Sequence, residues 1–206
     1  MPLRHKKHFI FDMDGTLTVA VHDFDHMREQ LGLPPDKAIL ESISARPAHE
    51  QAGLLERLYT LEIDYAKNAR PQPGADTLLK ALADRGYSLG ILTRNSTELA
   101  SITLAACNLL DYFQTDNILG REFGPPKPDP AGIEHLLKTW NAPRQDAVMI
   151  GDFKFDLLAG RAADVTTVHF DTNGDFSWPE LTDLGVTRLE EIIEAISGQA
   201  GLGKHV

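Results

Sequence analysis

Residues 8–16 read His8-Phe9-Ile10-Phe11-Asp12-Met13-Asp14-Gly15-Thr16, and the fold is decided by this stretch. The short apolar and aromatic run is that of a buried strand, and the acids and glycine after it end the strand in a turn. In open parallel sheets, ligands bind outside the carboxyl ends of the strands. Alternate strand residues point to one side, so Asp12 and Asp14 can share a site. Two carboxylates held together repel unless a cation or a proton separates them. Mg²⁺ prefers hard oxygen ligands and is the natural cation. The plainer alternative is an acidic turn after a strand.

Downstream, the chain first becomes helical. Phe24, Met27 and Leu31 recur at helical spacing until Gly32 and Pro34-Pro35. Ile39, Leu40 and Ile43 suggest a short second helix. Leu54, Leu55, Leu58, Leu61, Ile63 and Tyr65 predict a longer amphipathic one that stops before Pro71. After Pro73-Gly74 strands return. A helix around Leu78, Leu79 and Leu82 leads to a strand over 87–92 and a helix over 96–107. Further on come a strand at 146–150, a helix from Phe155 to Ala163, a strand at 165–169 and a last helix at 189–196. This alternation predicts an α/β fold: a Rossmann-like parallel sheet with helices on both faces. A small all-helical cap is inserted after the first strand. The expected division is a core of residues 1–17 and 72–206 and a cap of 18–71. The Gly-rich end from Gly198 is expected to be loose.

At 206 residues with 42% hydrophobic and 24% charged residues, the chain has the composition of one globular unit, not of a disordered one. No apolar run approaches the ~18 residues of a membrane span. The net charge of −10 repels phosphate backbones and anionic lipid, so neither nucleic acid nor membrane is expected as a partner. Cys107 is the only cysteine, which excludes an intrachain disulfide and fits a reducing compartment. Its apolar setting reads as a buried helix face, not a nucleophile. The basic residues Arg4, Lys6 and Lys7 precede too short an apolar run for a signal peptide, and a cytoplasmic location is expected.

Three more segments carry chemistry. Leu92-Thr93-Arg94-Asn95-Ser96 follows a strand and opens a helix, and Asn95 with Glu98 reads as a capping box. A helix start with free N–H groups and a Thr hydroxyl suits a phosphate, although a plain cap is the simpler reading. Lys127 lies within Pro125-Pro126-Lys127-Pro128-Asp129-Pro130, where the prolines enforce an extended loop that holds one ammonium in place. Ile150-Gly151-Asp152-Phe153-Lys154-Phe155-Asp156 ends another strand in glycine and acid. Asp152 would add a third carboxylate to the same sheet edge. Asp156, a helical turn on, would orient Lys127 or a metal-bound water instead of binding metal.

Taken in this order, the acid pair, the Thr at a helix start, the Lys in a rigid loop and the Gly-Asp-x-x-x-Asp resemble the haloacid dehalogenase superfamily. The small helical insertion is similar to the phosphoglycolate phosphatase-like branch, and the resemblance covers the whole chain. It implies a phosphatase in which Asp12 is the nucleophile and forms an aspartyl-phosphate. Asp14 would protonate the leaving oxygen and later activate water. The Asp12 carboxylate, the Asp14 main-chain carbonyl and Asp152 would hold Mg²⁺. Thr93, the N–H of Arg94 or Asn95, and Lys127 would bind the phosphoryl oxygens. An acid at position 14 suits an alkoxide leaving group, which needs a proton, whereas a halide does not. The cap entrance, Thr18-Val19-Ala20-Val21, departs from the Asp-Ser common among relatives.

In that architecture the cap closes over the site and supplies the contacts beyond the phosphate. Arg46 and His49, in the polar stretch Ser44–Glu50, are the candidates, with a merely solvated loop as the rival. His22 and His26 are spaced for metal chelation but lack a third ligand and read as surface residues. Trp178 either borders the site or covers the core. The expected substrate is a small phosphorylated metabolite, and the expected state a monomer or homodimer. The alternatives are a phosphomutase of the same fold and a non-catalytic metal- or phosphate-binding regulatory protein.

Overall fold

A computed structural model describes residues 3–19, 24–35 and 37–198. The predicted first strand forms as β1 (His8–Phe11). The others are β2 (Ser88–Leu92), β3 (Ile118–Leu119), β4 (Ala147–Gly151), β5 (Thr166–Phe170) and β6 (Leu184–Val186). They form a single sheet in the order β3-β2-β1-β4-β5-β6, every neighbouring pair parallel. The order reverses at β1, which is flanked by β2 and β4. Chain connections leave in opposite directions there, and the crevice they open lies at the carboxyl ends.

Eight α-helices complete the described residues: α1 (Phe24–Leu31), α2 (Ile39–Ser44), α3 (Ala48–Lys67), α4 (Ala75–Ala83), α5 (Thr97–Ala106), α6 (Ala131–Thr139), α7 (Lys154–Ala162) and α8 (Glu190–Ser197). The strands are apolar on both faces because helices cover both. On one face Phe9, Phe11, Ile91, Val148 and Ile150 pack with Leu78, Leu79 and Leu82 of α4, Ala100 and Leu104 of α5 and Ile192 of α8. On the other, Ile10, Leu92 and Met149 meet Ile133, Leu136 and Leu137 of α6 and Ala159 of α7.

Between β1 and α4, the helices α1, α2 and α3 build a separate apolar cluster from Met27, Leu31, Leu33, Ile43 and Leu58. The chain leaves and re-enters the sheet region through a narrow neck. Thr18 and Pro71 form an antiparallel bridge, the Val19 N–H donates to the Arg70 carbonyl, and the Gln72 N–H donates to the Leu17 carbonyl.

Sequence reading missed three elements. β3 and β6 have only two and three residues. Strands this short carry no periodicity and exist because a neighbour's backbone pairs with them. The helix α6 follows the proline-rich segment directly, with Pro130 at its N-cap. Ile133, Leu136 and Leu137 are a helical pattern that the prolines obscured. Among the described residues no helix is long and apolar enough to cross a membrane.

Leu136 is fully buried against β2 beside Gly90. Leu136→Ala is expected to cost about 2–5 kcal/mol, the range for opening a cavity in a packed core. Its urea midpoint against that of the unsubstituted protein measures the loss.

Candidate active site

The carboxyl edge of the sheet brings Asp12, Lys127, Asp152 and Asp156 together. Asp12 directly follows β1, and its N–H still donates to the Ile150 carbonyl at 2.8 Å, so the ladder with β4 fixes its position. The chain then turns tightly: the N–H groups of Leu17 and Thr18 both donate to the Met13 carbonyl. Gly15 adopts φ +90, and a Cβ there would lie 2.3 Å from Asp152 Oδ2. Only glycine permits both the backbone conformation and the close approach of the β4 loop. Thr16 Oγ1 donates to Asp152 Oδ1 at 3.3 Å. At the end of β4, Gly151 leaves room for Asp156, since a Cβ there would lie 2.3 Å from that side chain.

Lys127 comes in from the proline loop and is almost fully buried. The loop is tied by Asp129 N–H to the Pro126 carbonyl, and the Asp129 carboxylate accepts from Ala131 N–H at the start of α6. The Lys127 ammonium lies 2.5 Å from Asp12 Oδ1 and 2.6 Å from Asp156 Oδ1. The second oxygen of Asp156 accepts from Phe153 N–H at 3.0 Å. Both Asp156 oxygens are thus engaged, one on the ammonium and one on the main chain.

Carboxylate oxygens of Asp12, Asp152 and Asp156 all lie within 4.8 Å of one another. Burial pushes the Asp12 carboxyl well up, against the pull of Lys127, and Asp156, Asp152 and Asp14 add to the rise. Burial and then Asp156 push Asp152 up to about 6. For Lys127 burial disfavours the charge, but Asp12 and Asp156 outweigh it and raise its pKa. One buried ammonium therefore faces an excess of negative charge. Hard oxygen donors this close together fit a divalent cation such as Mg²⁺. Asp14 is half-buried next to this group and adds its field to that of the others.

Thr93 is buried at the end of β2. Its Oγ1 accepts from the main-chain N–H of Asn95 at 3.0 Å, so that N–H is already engaged. The expected capping box of Asn95 and Glu98 does not form. The N-cap of α5 is Ser96, whose Oγ accepts from Leu99 N–H at 3.1 Å. Asn95 Oδ1 instead accepts from Ser96 N–H, and Glu98 accepts from Tyr59 of α3. Ser96 is one residue closer to the helix and reaches the third N–H, which is the geometry a cap requires. The Arg94 guanidinium lies 5.5 Å from the centre of the Phe155 ring and 3.5 Å from Glu41 of α2.

The insertion candidates have other partners. Arg46 donates to the Gly32 carbonyl beyond the end of α1, a favourable place for a cation. His49 is largely exposed and lies 3.8 Å from Glu50. Neither makes a hydrogen bond or ion pair with the acid cluster. His22, one of the spaced pair with His26, lies outside the described residues. Cys107 is buried and its thiol is pushed up to about 11 by burial, in keeping with a packing role.

Some site features had no signal in the sequence. Glu62 of α3 and Arg121 after β3 form a two-point ion pair at 3.1 Å although 59 residues apart. The Thr16 bond to Asp152 likewise depends on two strand ends meeting. Thr16 had a usable signal, since it continues the Asp-Gly turn beside the acids.

Residues 9–170 match the haloacid dehalogenase-like hydrolases. The chain belongs to that family. It is 33% identical over 202 residues to an uncharacterized hydrolase of Saccharomyces cerevisiae, covering 94% of this chain and 92% of the relative. It is 28% identical over 191 residues to a phosphoglycolate phosphatase of Neisseria meningitidis, covering 81% of this chain and 80% of the relative. Among solved structures, a hydrolase from Pseudomonas syringae superposes with a TM-score of 0.74 at 26% identity, covering 95% of this chain and all of the other. In this hydrolase the similarity to the phosphoglycolate phosphatase-like branch is thus one of sequence, and the superposition supports the fold.

Lys127→Met leaves Asp12 and Asp156 facing each other without a counter-charge. Removing one partner of a buried ion pair typically costs about 3–5 kcal/mol. The deficit should shrink in acid, because a proton on either carboxylate relieves the unpaired charge. Urea denaturation of variant and parent at neutral and acidic pH measures both effects.

Proposed function

We propose that this hydrolase is a Mg²⁺-dependent phosphatase that cleaves a small phosphate monoester through an aspartyl-phosphate on Asp12. The observation that supports it most is the Asp12–Lys127–Asp156 chain at the carboxyl edge, 2.5 and 2.6 Å between charged atoms, with Asp152 alongside. An Asp12 oxygen attacks phosphorus as the bond to the leaving oxygen breaks, and Asp14 gives that oxygen its proton. Asp14 then takes a proton from water, which attacks the same phosphorus and releases Asp12. Covalent capture divides one hard displacement into two easier ones. Lys127 holds the nucleophile in place and offsets its repulsion from the phosphate.

Asp12, the Asp14 carbonyl and Asp152 would hold the cation. When bound, it would neutralise the charge shared between nucleophile and phosphate. Thr93 and the main-chain N–H of Arg94 would take the remaining phosphoryl oxygens, while Asn95 N–H orients Thr93. Helices α1 to α3, residues 18–71, would act as the cap that excludes water. The contacts of Glu62 with Arg121, Tyr59 with Glu98 and Glu41 with Arg94 support this, since each joins the insertion to the core beside the site.

Phosphate release from a panel of phosphorylated metabolites and an aryl phosphate tests the reading. Asp12→Asn should reduce release to background while its thermal unfolding stays cooperative. Near-normal turnover in that variant would refute the nucleophile. Excess EDTA should stop release and added Mg²⁺ restore it; a full rate in EDTA would refute the metal role.

A further inference from the structure

Phe153 directly follows Asp152, and its side chain is 51% exposed. It stands at the N-cap of α7, a position where Ser, Thr, Asp or Asn would accept helix N–H bonds and where an aromatic ring does nothing for the helix. Residues that break a local rule without local gain concentrate at functional sites. The Phe153 ring is not loose. Phe155 lies 5.2 Å from it at 86° and Trp178 5.5 Å from it at 77°. Two near-perpendicular rings fix its plane and leave much of it open to solvent. Behind Trp178 lies buried His169, 5.2 Å away, its Nδ1 without a hydrogen-bond partner. Ring packing holds this wall together.

The wall continues toward the end of β2. Phe155 carries the Arg94 guanidinium at 5.5 Å. Arg94 follows β2 and Phe155 lies in the first turn after β4, so the contact spans the end of β1, where Asp12 sits. Arg94, Phe155, Phe153 and Trp178 thus form a border of π faces and one guanidinium beside the carboxylate cluster. Such a border offers stacking, not hydroxyl recognition. We infer that it is a stacking subsite for the leaving group, and that the substrate is a phosphate monoester whose alcohol carries a planar ring. A nucleoside 5′-monophosphate is the simplest such compound. This rests on the phosphatase reading of the same site.

A matched pair of substrates isolates the ring. Adenosine 5′-monophosphate and ribose 5-phosphate share a primary alkyl leaving group and differ in the base. Stacking on an aromatic side chain favours a base by about tenfold or more, so kcat/KM should favour the nucleotide by that ratio. Phe153→Ala should bring the ratio close to one, and Phe153→Trp should keep it. A ratio near one in the unsubstituted protein, or one that Phe153→Ala leaves unchanged, overturns the inference. Failure of the phosphatase reading looks different, because neither compound then releases phosphate. Calorimetric titration of the protein with each compound decides in that case: tighter binding of the nucleotide, lost in Phe153→Ala, supports the subsite, and equal binding overturns it.

Discussion

The Lys127 ammonium lies between Asp12 and Asp156, 2.5 and 2.6 Å from their oxygens, in a place almost closed to water. None of the three charges is tolerable there alone, since an unpaired buried ion is expensive and two buried carboxylates repel. Each is therefore a condition for the others. The cluster also joins three distant parts of the chain: the end of β1, the proline loop before α6 and the first turn of α7. Asp12 can be held in a single orientation only because the ammonium is delivered by a loop that cannot bend away.

The rest of the architecture places these ends together. A parallel sheet reversing its order at β1 brings the loops after β1, β2 and β4 to one edge. Gly15 lets the first of these approach Asp152 in the last, and Gly151 leaves room for Asp156 in its own loop. Two apolar layers and a separately packed helical insertion surround the edge, and the neck at Thr18 and Pro71 keeps the insertion attached next to the acids. The excess negative charge that results fits the site for a cation.

Much of the site was legible because its residues follow strands. Asp12, Asp14, Thr93 and Asp152 each come shortly after an apolar run, and a run of that kind ends at the carboxyl edge of a parallel sheet, where ligands bind. Lys127 stood out through its prolines, and Asp156 through its spacing. The cap of α5 was misread by one residue, as Asn95 and Ser96 are both good caps and only backbone geometry chooses between them. The insertion candidates Arg46 and His49 were chosen for polarity alone, and the structure gives them Gly32 and Glu50 as partners.

By itself the sequence determined the strand–helix alternation and the run of helices between the first two strands, because periodicity and turn residues are local properties. The pairing of β3 and β6, the docking of Glu62 on Arg121 and the run of rings from Phe155 to Trp178 were decided by the tertiary structure. These contacts join residues far apart in the chain. Their energy comes from surfaces and charges that exist only once the sheet has set its order, so no local pattern could announce them.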